Sequence, residues 1–161
     1  MNKKRRRNTK IPINIQIESE RIYSDLGRGQ APEPETSSFS INGFLKKTKQ
    51  GLQVEYIEPE HSGMGDTVTT ISTLGERVIS VNRVGNLSSH MVFEEGKCHT
   101  CIYDTGIFPM QLRVCTKQLQ NSLTLQGGKI NIDYSVEIVG NLAEKNKLSV
   151  SIYPDESVII S

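Results

Sequence analysis

Apolar residues recur at every second position along nearly the whole body of this chain, a rhythm that belongs to strands. The stretch "IPINIQIE" puts Ile11, Ile13, Ile15 and Ile17 on one face and Pro12, Asn14, Gln16 and Glu18 on the other. Pro12 sits near the start of that run, where a missing N–H is tolerated. The pattern returns with Phe39, Ile41 and Leu45, with Leu52, Val54 and Tyr56, and with Leu87, Met91 and Phe93. It continues with Met110, Leu112 and Val114, with Ile130, Ile132, Tyr134, Val136 and Ile138, and with Leu148, Val150 and Ile152. Two shorter β-rich pieces, "DTVTTIST" and "ERVISVNR", lie between.

Turn sequences separate these runs: "KTKQG", "HSGMGD", "TLGE", "EEGK", "DTG" and "LQGGK". The reading is nine or ten strands with no amphipathic helix. Short connections between alternating strands imply an antiparallel meander. A sheet of that length must hide its edges, which it does by closing into a barrel or folding into a sandwich. Residues 19–37, with "APEPETSS", and residues 58–66, "EPEHSGMGD", read as the two long loops.

A chain of 161 residues fits one domain. No apolar run approaches the roughly 18–20 residues that span a bilayer. The basic start "MNKKRRRNTK" is not followed by the apolar stretch of a signal peptide, so a cytoplasmic protein is expected. Of the 19 basic residues, six fall in residues 1–10, which hold no acidic one. The remaining 13 face 18 acidic residues, so a basic tail precedes a mildly acidic body. The division expected is a disordered tail, 1–10, and a single barrel domain, 11–161. The tail is either a solubilising terminus or a contact for nucleic acid or another anionic partner through Lys3, Lys4, Arg5, Arg6 and Arg7.

Cys98 and Cys101 have C-x-x-C spacing, with His99 between them. In a strand, residues three apart point to opposite faces, so these two thiols cannot share a metal or a disulfide. No second ligand pair accompanies them: Cys115 stands alone, and the histidines are His61, His90 and His99. Structural thiols are the expectation. A hairpin centred near Gly106 and Ile107 brings Cys115 near Cys98, but in a reducing cytosol neither pairing is expected to be oxidised. Glu58, Glu60, His61 and Asp66 are read as solvated loop residues rather than as a cation site. Arg83 lies in a strand run of ambiguous parity. It is either a surface residue or an inward cation able to anchor a ligand carboxylate or phosphate.

The order of several spaced positions resembles the YwiB-like family of small bacterial proteins. They are Tyr56 and Glu58, Arg83 and Gly85, Phe93 and Gly96, Tyr103 and Thr105, Leu112 and Thr116, and Gly128 and Tyr134. The likeness runs from Ile13 to Tyr153. It departs at "GIFPM", where the family's glycine is expected later, and in a longer tail and first loop. The resemblance implies an all-β, closed or nearly closed barrel of about 8–10 strands, calycin or lipocalin-like. It transfers no activity, catalytic residue or cofactor.

Two functions follow as candidates. One is a barrel whose interior takes a small apolar, amphipathic or anionic ligand against Phe39, Tyr56, Arg83, Phe93 and Tyr134, with Ile132 and Ile152 in the same wall. The other is an interaction module working through its basic tail. An enzyme is not expected, for no nucleophile–base pair or strong metal motif is present. No cofactor is expected.

Overall fold

The computed structural model describes residues 9–23, 33–62 and 64–155. Ten strands follow in chain order. They are β1 (Ile11–Tyr23), β2 (Glu35–Lys47), β3 (Leu52–Ile57), β4 (Thr67–Leu74), β5 (Val78–Gly85), β6 (Ser88–Glu94), β7 (Cys98–Asp104), β8 (Pro109–Asn121), β9 (Gly128–Ile138) and β10 (Asn141–Pro154). Each pairs antiparallel with the next, and β10 returns to β1, so the sheet closes into a barrel. The closing ladder runs from Ile13 opposite Pro154 to Tyr23 opposite Glu144. Among the described residues the helical content is one 3-10 turn, Glu60–Ser62, and no helix is long and apolar enough to cross a membrane.

Closure gives the alternation its meaning. One side chain in two enters a shared core. Ile13, Ile15, Leu45, Val54, Ile79, Phe93, Val114, Ile130, Ile132, Val150 and Ile152 are buried there, while their neighbours along each strand face out. At Gly43 a Cβ would meet Ile15 Cδ1 at 2.8 Å and would also strike the Glu55 carbonyl, so glycine lets three strands approach closely there.

The first of the two long loops is shorter than the sequence suggests, whereas the second, 58–66, falls between β3 and β4 with the bounds expected. β1 runs on to Tyr23 and β2 begins at Glu35, with Arg21 opposite Glu35, because these residues are claimed by ladders to β10 and to each other. The middle of that connection lies outside the described residues. So do residues 1–8, which include Lys3, Lys4, Arg5, Arg6 and Arg7. Lys10 is described, and it pairs with Glu55 at 3.4 Å. β10 likewise begins at Asn141, earlier than the alternation indicates, with a bulge at Leu142–Glu144 just inside its start.

The two ends of the barrel differ. β1 starts and β10 finishes at one end. At the other lie the end of β1, the start of β2 and the connections after β3, β5, β7 and β9. Two of those connections expose apolar residues, Ile107 and Phe108 in one and Val139 in the other. The β9–β10 connection is a tight turn in which Val139 (φ 52°) and Gly140 (φ 78°) are both left-handed. Asn-Gly is the favoured pair for such a turn, and a β-branched residue is strained in it. Val139→Asn is therefore expected to stabilise the protein by about 1 kcal/mol, measured by chemical denaturation.

The pairing is uneven. β2 meets β3 over Phe44–Lys47 alone, so the two strands part toward the end where Glu35 and Ile57 lie. The segment after β3 lies against that gap, and His61 meets the edge of Phe39 with ring centroids 5.6 Å apart.

Candidate functional site: a polar cavity at one end of the barrel

The interior is not filled throughout. At the end where β2 and β3 separate, a cavity of about 300 Å³ opens between the strands and the segment after β3. Apolar walls come from Ile17, Phe39, Ile71, Val81, Leu148 and Val150, and His61, Ser62 and Met64 close it from above. Polar groups are set into this wall: Tyr56, Glu58, Thr69, Arg83, Tyr134 and Asn146.

Strand register assembles the polar group. Thr69 lies opposite Tyr56 on one side and opposite Arg83 on the other, and Ser89 lies opposite Arg83 in turn. The four therefore share one inward level. This resolves the parity of Arg83: it continues the face of Ile79 and Val81, both buried, while Val84 faces out. Glu58 continues the face of Val54 and Tyr56 one step past the end of β3. Its backbone N–H donates to the Thr67 carbonyl at 2.8 Å, which extends the pairing far enough to turn its side chain inward.

Glu58 is thus a buried residue, 3% exposed, rather than a solvated loop carboxylate. Thr69 Oγ1 donates to its Oε2 at 2.6 Å, and Arg83 Nε lies 3.8 Å from the same oxygen. Glu58 Oε1 and Arg83 Nε are sealed from solvent with no hydrogen-bond partner. The Arg83 side chain is still 19% exposed, so its open surface lies on atoms other than Nε. The pair is held by charge and lacks a complete set of hydrogen bonds, the costly way to bury ions.

Burial, and then the Glu58 charge, push the Tyr56 phenol far above its ordinary range, with Arg83 acting the other way. Burial likewise raises Tyr134, against an opposing effect of Arg83. Both remain protonated donors across the physiological range. A group whose folded value is raised contributes stability that is complete below the ordinary tyrosine value of about 10. That contribution is lost as pH rises through the folded value. An alkaline ultraviolet titration should therefore show Tyr56 and Tyr134 ionising only with unfolding, which their Phe variants would identify.

Of the five residues expected from sequence, Phe39, Tyr56, Arg83 and Tyr134 line the cavity. Phe93 does not. It lies behind the wall, 1% exposed, with its ring edge-on to Tyr134 at 4.7 Å, and so fixes that ring. Ile132 and Ile152 are core residues. Of the polar groups named above, Glu58, Thr69 and Asn146 were not anticipated. The signal for Glu58 was its parity with Val54 and Tyr56, hidden by the proline and acidic residues that follow.

The cysteines lie outside this site. Cys101 is buried and Cys98 exposed, on opposite faces as the spacing requires. The expectation of three free thiols is corrected, however: Cys98 and Cys115 are joined, S–S 2.07 Å. They stand directly opposite each other across β7 and β8, with Cα atoms 4.0 Å apart on the outer face. His99 Nε2 lies 3.1 Å from Glu94 Oε1. No group of three or more metal-ligating side chains comes together among the described residues. Burial raises the Cys101 thiol. Thiol titration without reductant should find one reactive group per chain, appearing only after denaturation, and three after reduction. One zinc per chain on metal analysis would contradict this arrangement.

A closed ten-stranded antiparallel barrel with a polar-lined cavity at one end is the class of protein these residues define. The chain belongs to the family described as a domain of unknown function, DUF1934, whose model matches residues 15–150. It is similar to the uncharacterized beta-barrel protein YwiB of Bacillus subtilis (strain 168), 24% identical over 127 residues, which are 79% of this chain and 82% of that protein. The crystal structure of the ywiB protein from Bacillus subtilis superimposes with a TM-score of 0.76 at 20% identity, over 90% of this chain and 92% of that one. At that identity the likeness supports the fold and nothing finer.

Proposed function

We propose that this chain is a binding protein rather than an enzyme, and that it holds one small amphipathic molecule inside its barrel. The observation that carries the reading is the cavity itself. A space of about 300 Å³ is retained where a purely structural barrel would place side chains, and a loosely paired arginine and glutamate are buried in its wall. Apolar walls with a few fixed polar groups are the usual form of a small-molecule site, and this volume is at the lower end for such sites. It corresponds to about ten water molecules, which limits the ligand to something near the size of one substituted ring.

The test is native mass spectrometry of full-length protein purified without organic additives, alongside thermal-shift screening of small aromatic and aliphatic compounds. A carried species, or a hit, should be lost when Val81→Trp fills the cavity from β5. Retention of the same species in that variant would place binding elsewhere.

A further inference from the structure

Within this reading of the cavity, we propose that the ligand's polar head is an uncharged hydrogen-bond acceptor of the carbonyl class, received by Arg83 and Tyr134. Both residues line the cavity. Arg83 has its Nε shut in and, among the described residues, pairs with Glu58 alone, so its remaining donors are the ones left for a ligand. Tyr134 is partly buried, feels the Arg83 charge, and has its ring packed against Phe93. Two donors therefore face one small space, and an acceptor is their natural complement.

The charge of the head follows from what surrounds it. Arg83 is already matched by Glu58 at 3.8 Å. The other lining cations are Arg21, which pairs with Glu144 at 3.6 Å, and Lys147. Glu35 is the other lining anion. Three lining cations meet two lining anions, and Glu144, which pairs with Arg21 from outside the lining, makes the third. Lys147, which has no ion pair among the described residues, is exposed, so a carboxylate head would sit near Glu58 with no buried unmatched cation to receive it, and an amidinium would meet Arg83. Either adds an uncompensated charge beside partly buried groups, whereas a carbonyl adds none.

Four single-ring probes separate the possibilities: acetophenone, benzoate and benzamidine, which are of equal size, and the smaller toluene. Binding is followed by methyl NMR of Ile17, Ile71, Val81 and Val150 on the full-length protein. Acetophenone should bind about tenfold more tightly than toluene, as expected for hydrogen bonds from a charged donor. At pH 8 benzoate and benzamidine should bind at least about tenfold more weakly than acetophenone, since an unmatched charge costs more than a hydrogen bond returns. Tyr134→Phe and Arg83→Met should each lower acetophenone toward toluene and leave toluene unchanged. If Arg83→Met does not fold, Tyr134→Phe carries the test. Glu58→Gln should reverse the preference, so that benzoate exceeds acetophenone.

Benzoate binding more tightly than acetophenone in the unsubstituted protein would overturn the inference, and so would equal binding of acetophenone and toluene. In either case toluene in the cavity leaves the binding barrel standing. Failure of all four probes, toluene included, would sink both.

Discussion

Ile15→Asp is expected to destabilise the barrel by about 4–5 kcal/mol. The side chain is 0% exposed and lies between Ile152 on β10 and Ile41 on β2, at the ladder that closes the ring. Truncating a buried isoleucine alone costs about 2–5 kcal/mol, and burying an unpaired carboxylate adds to this. A domain of this size has about 5–15 kcal/mol in total, so the melting temperature should fall by roughly 10–20 °C. Gln16→Asp, one residue on and facing out, should change stability by no more than about 0.5 kcal/mol. Similar losses from the two substitutions, measured by denaturant titration, would contradict the inward and outward assignment of β1.

Glu58→Ala is expected to cost about 3 kcal/mol, because it removes the counter-charge of a largely buried arginine and the acceptor of the Thr69 hydroxyl together. Glu58→Gln keeps the shape and an acceptor for Thr69 and should cost less. The double variant Glu58→Gln, Arg83→Met removes both charges and should be more stable than Glu58→Ala. A double-mutant cycle across the two positions should return a coupling of about 1–3 kcal/mol. A coupling near zero would mean that the 3.8 Å pair contributes nothing to stability, and that its ions are retained at a cost the fold does not recover.

These two residues also mark how far the sequence could be read. Ile15 was legible because period two has one physical meaning in a half-buried strand, and eight alternating residues in "IPINIQIE" leave no competing pattern. The number of such strands and the need to cover their edges left a barrel or a sandwich, and the resemblance to the YwiB-like family implied the barrel. Glu58 was not legible. Loop-like composition after it, "PEHSGMGD", argued for solvent, whereas one extra backbone hydrogen bond to Thr67 carries the strand parity onward by a single residue. Arg83 was legible as a choice between two faces, which local sequence did not decide because Val81 and Val84 support opposite parities. The register against Thr69 decides it, and register is a property of the whole sheet. The Cys98–Cys115 contact was foreseen in its geometry, from a hairpin centred near Gly106. The oxidised bond was not, because the compartment assumed from sequence argued against it.

The ring of strands is closed by its first and last members, and this places a demand on synthesis. Residues 11–23 leave the ribosome before the other nine strands, yet the partner for one side of them, residues 141–154, is the last of those strands to be made. At ordinary elongation rates of about 5–20 residues per second, the isoleucine-rich first strand waits several seconds with a hydrogen-bonding edge unsatisfied. Such an edge is open to pairing with other chains on the same message. Slowing translation late in the message should lower the yield of soluble protein. A circular permutant that joins the present ends and opens the chain at Gly75, in the β4–β5 turn, should shift the waiting edge to β5.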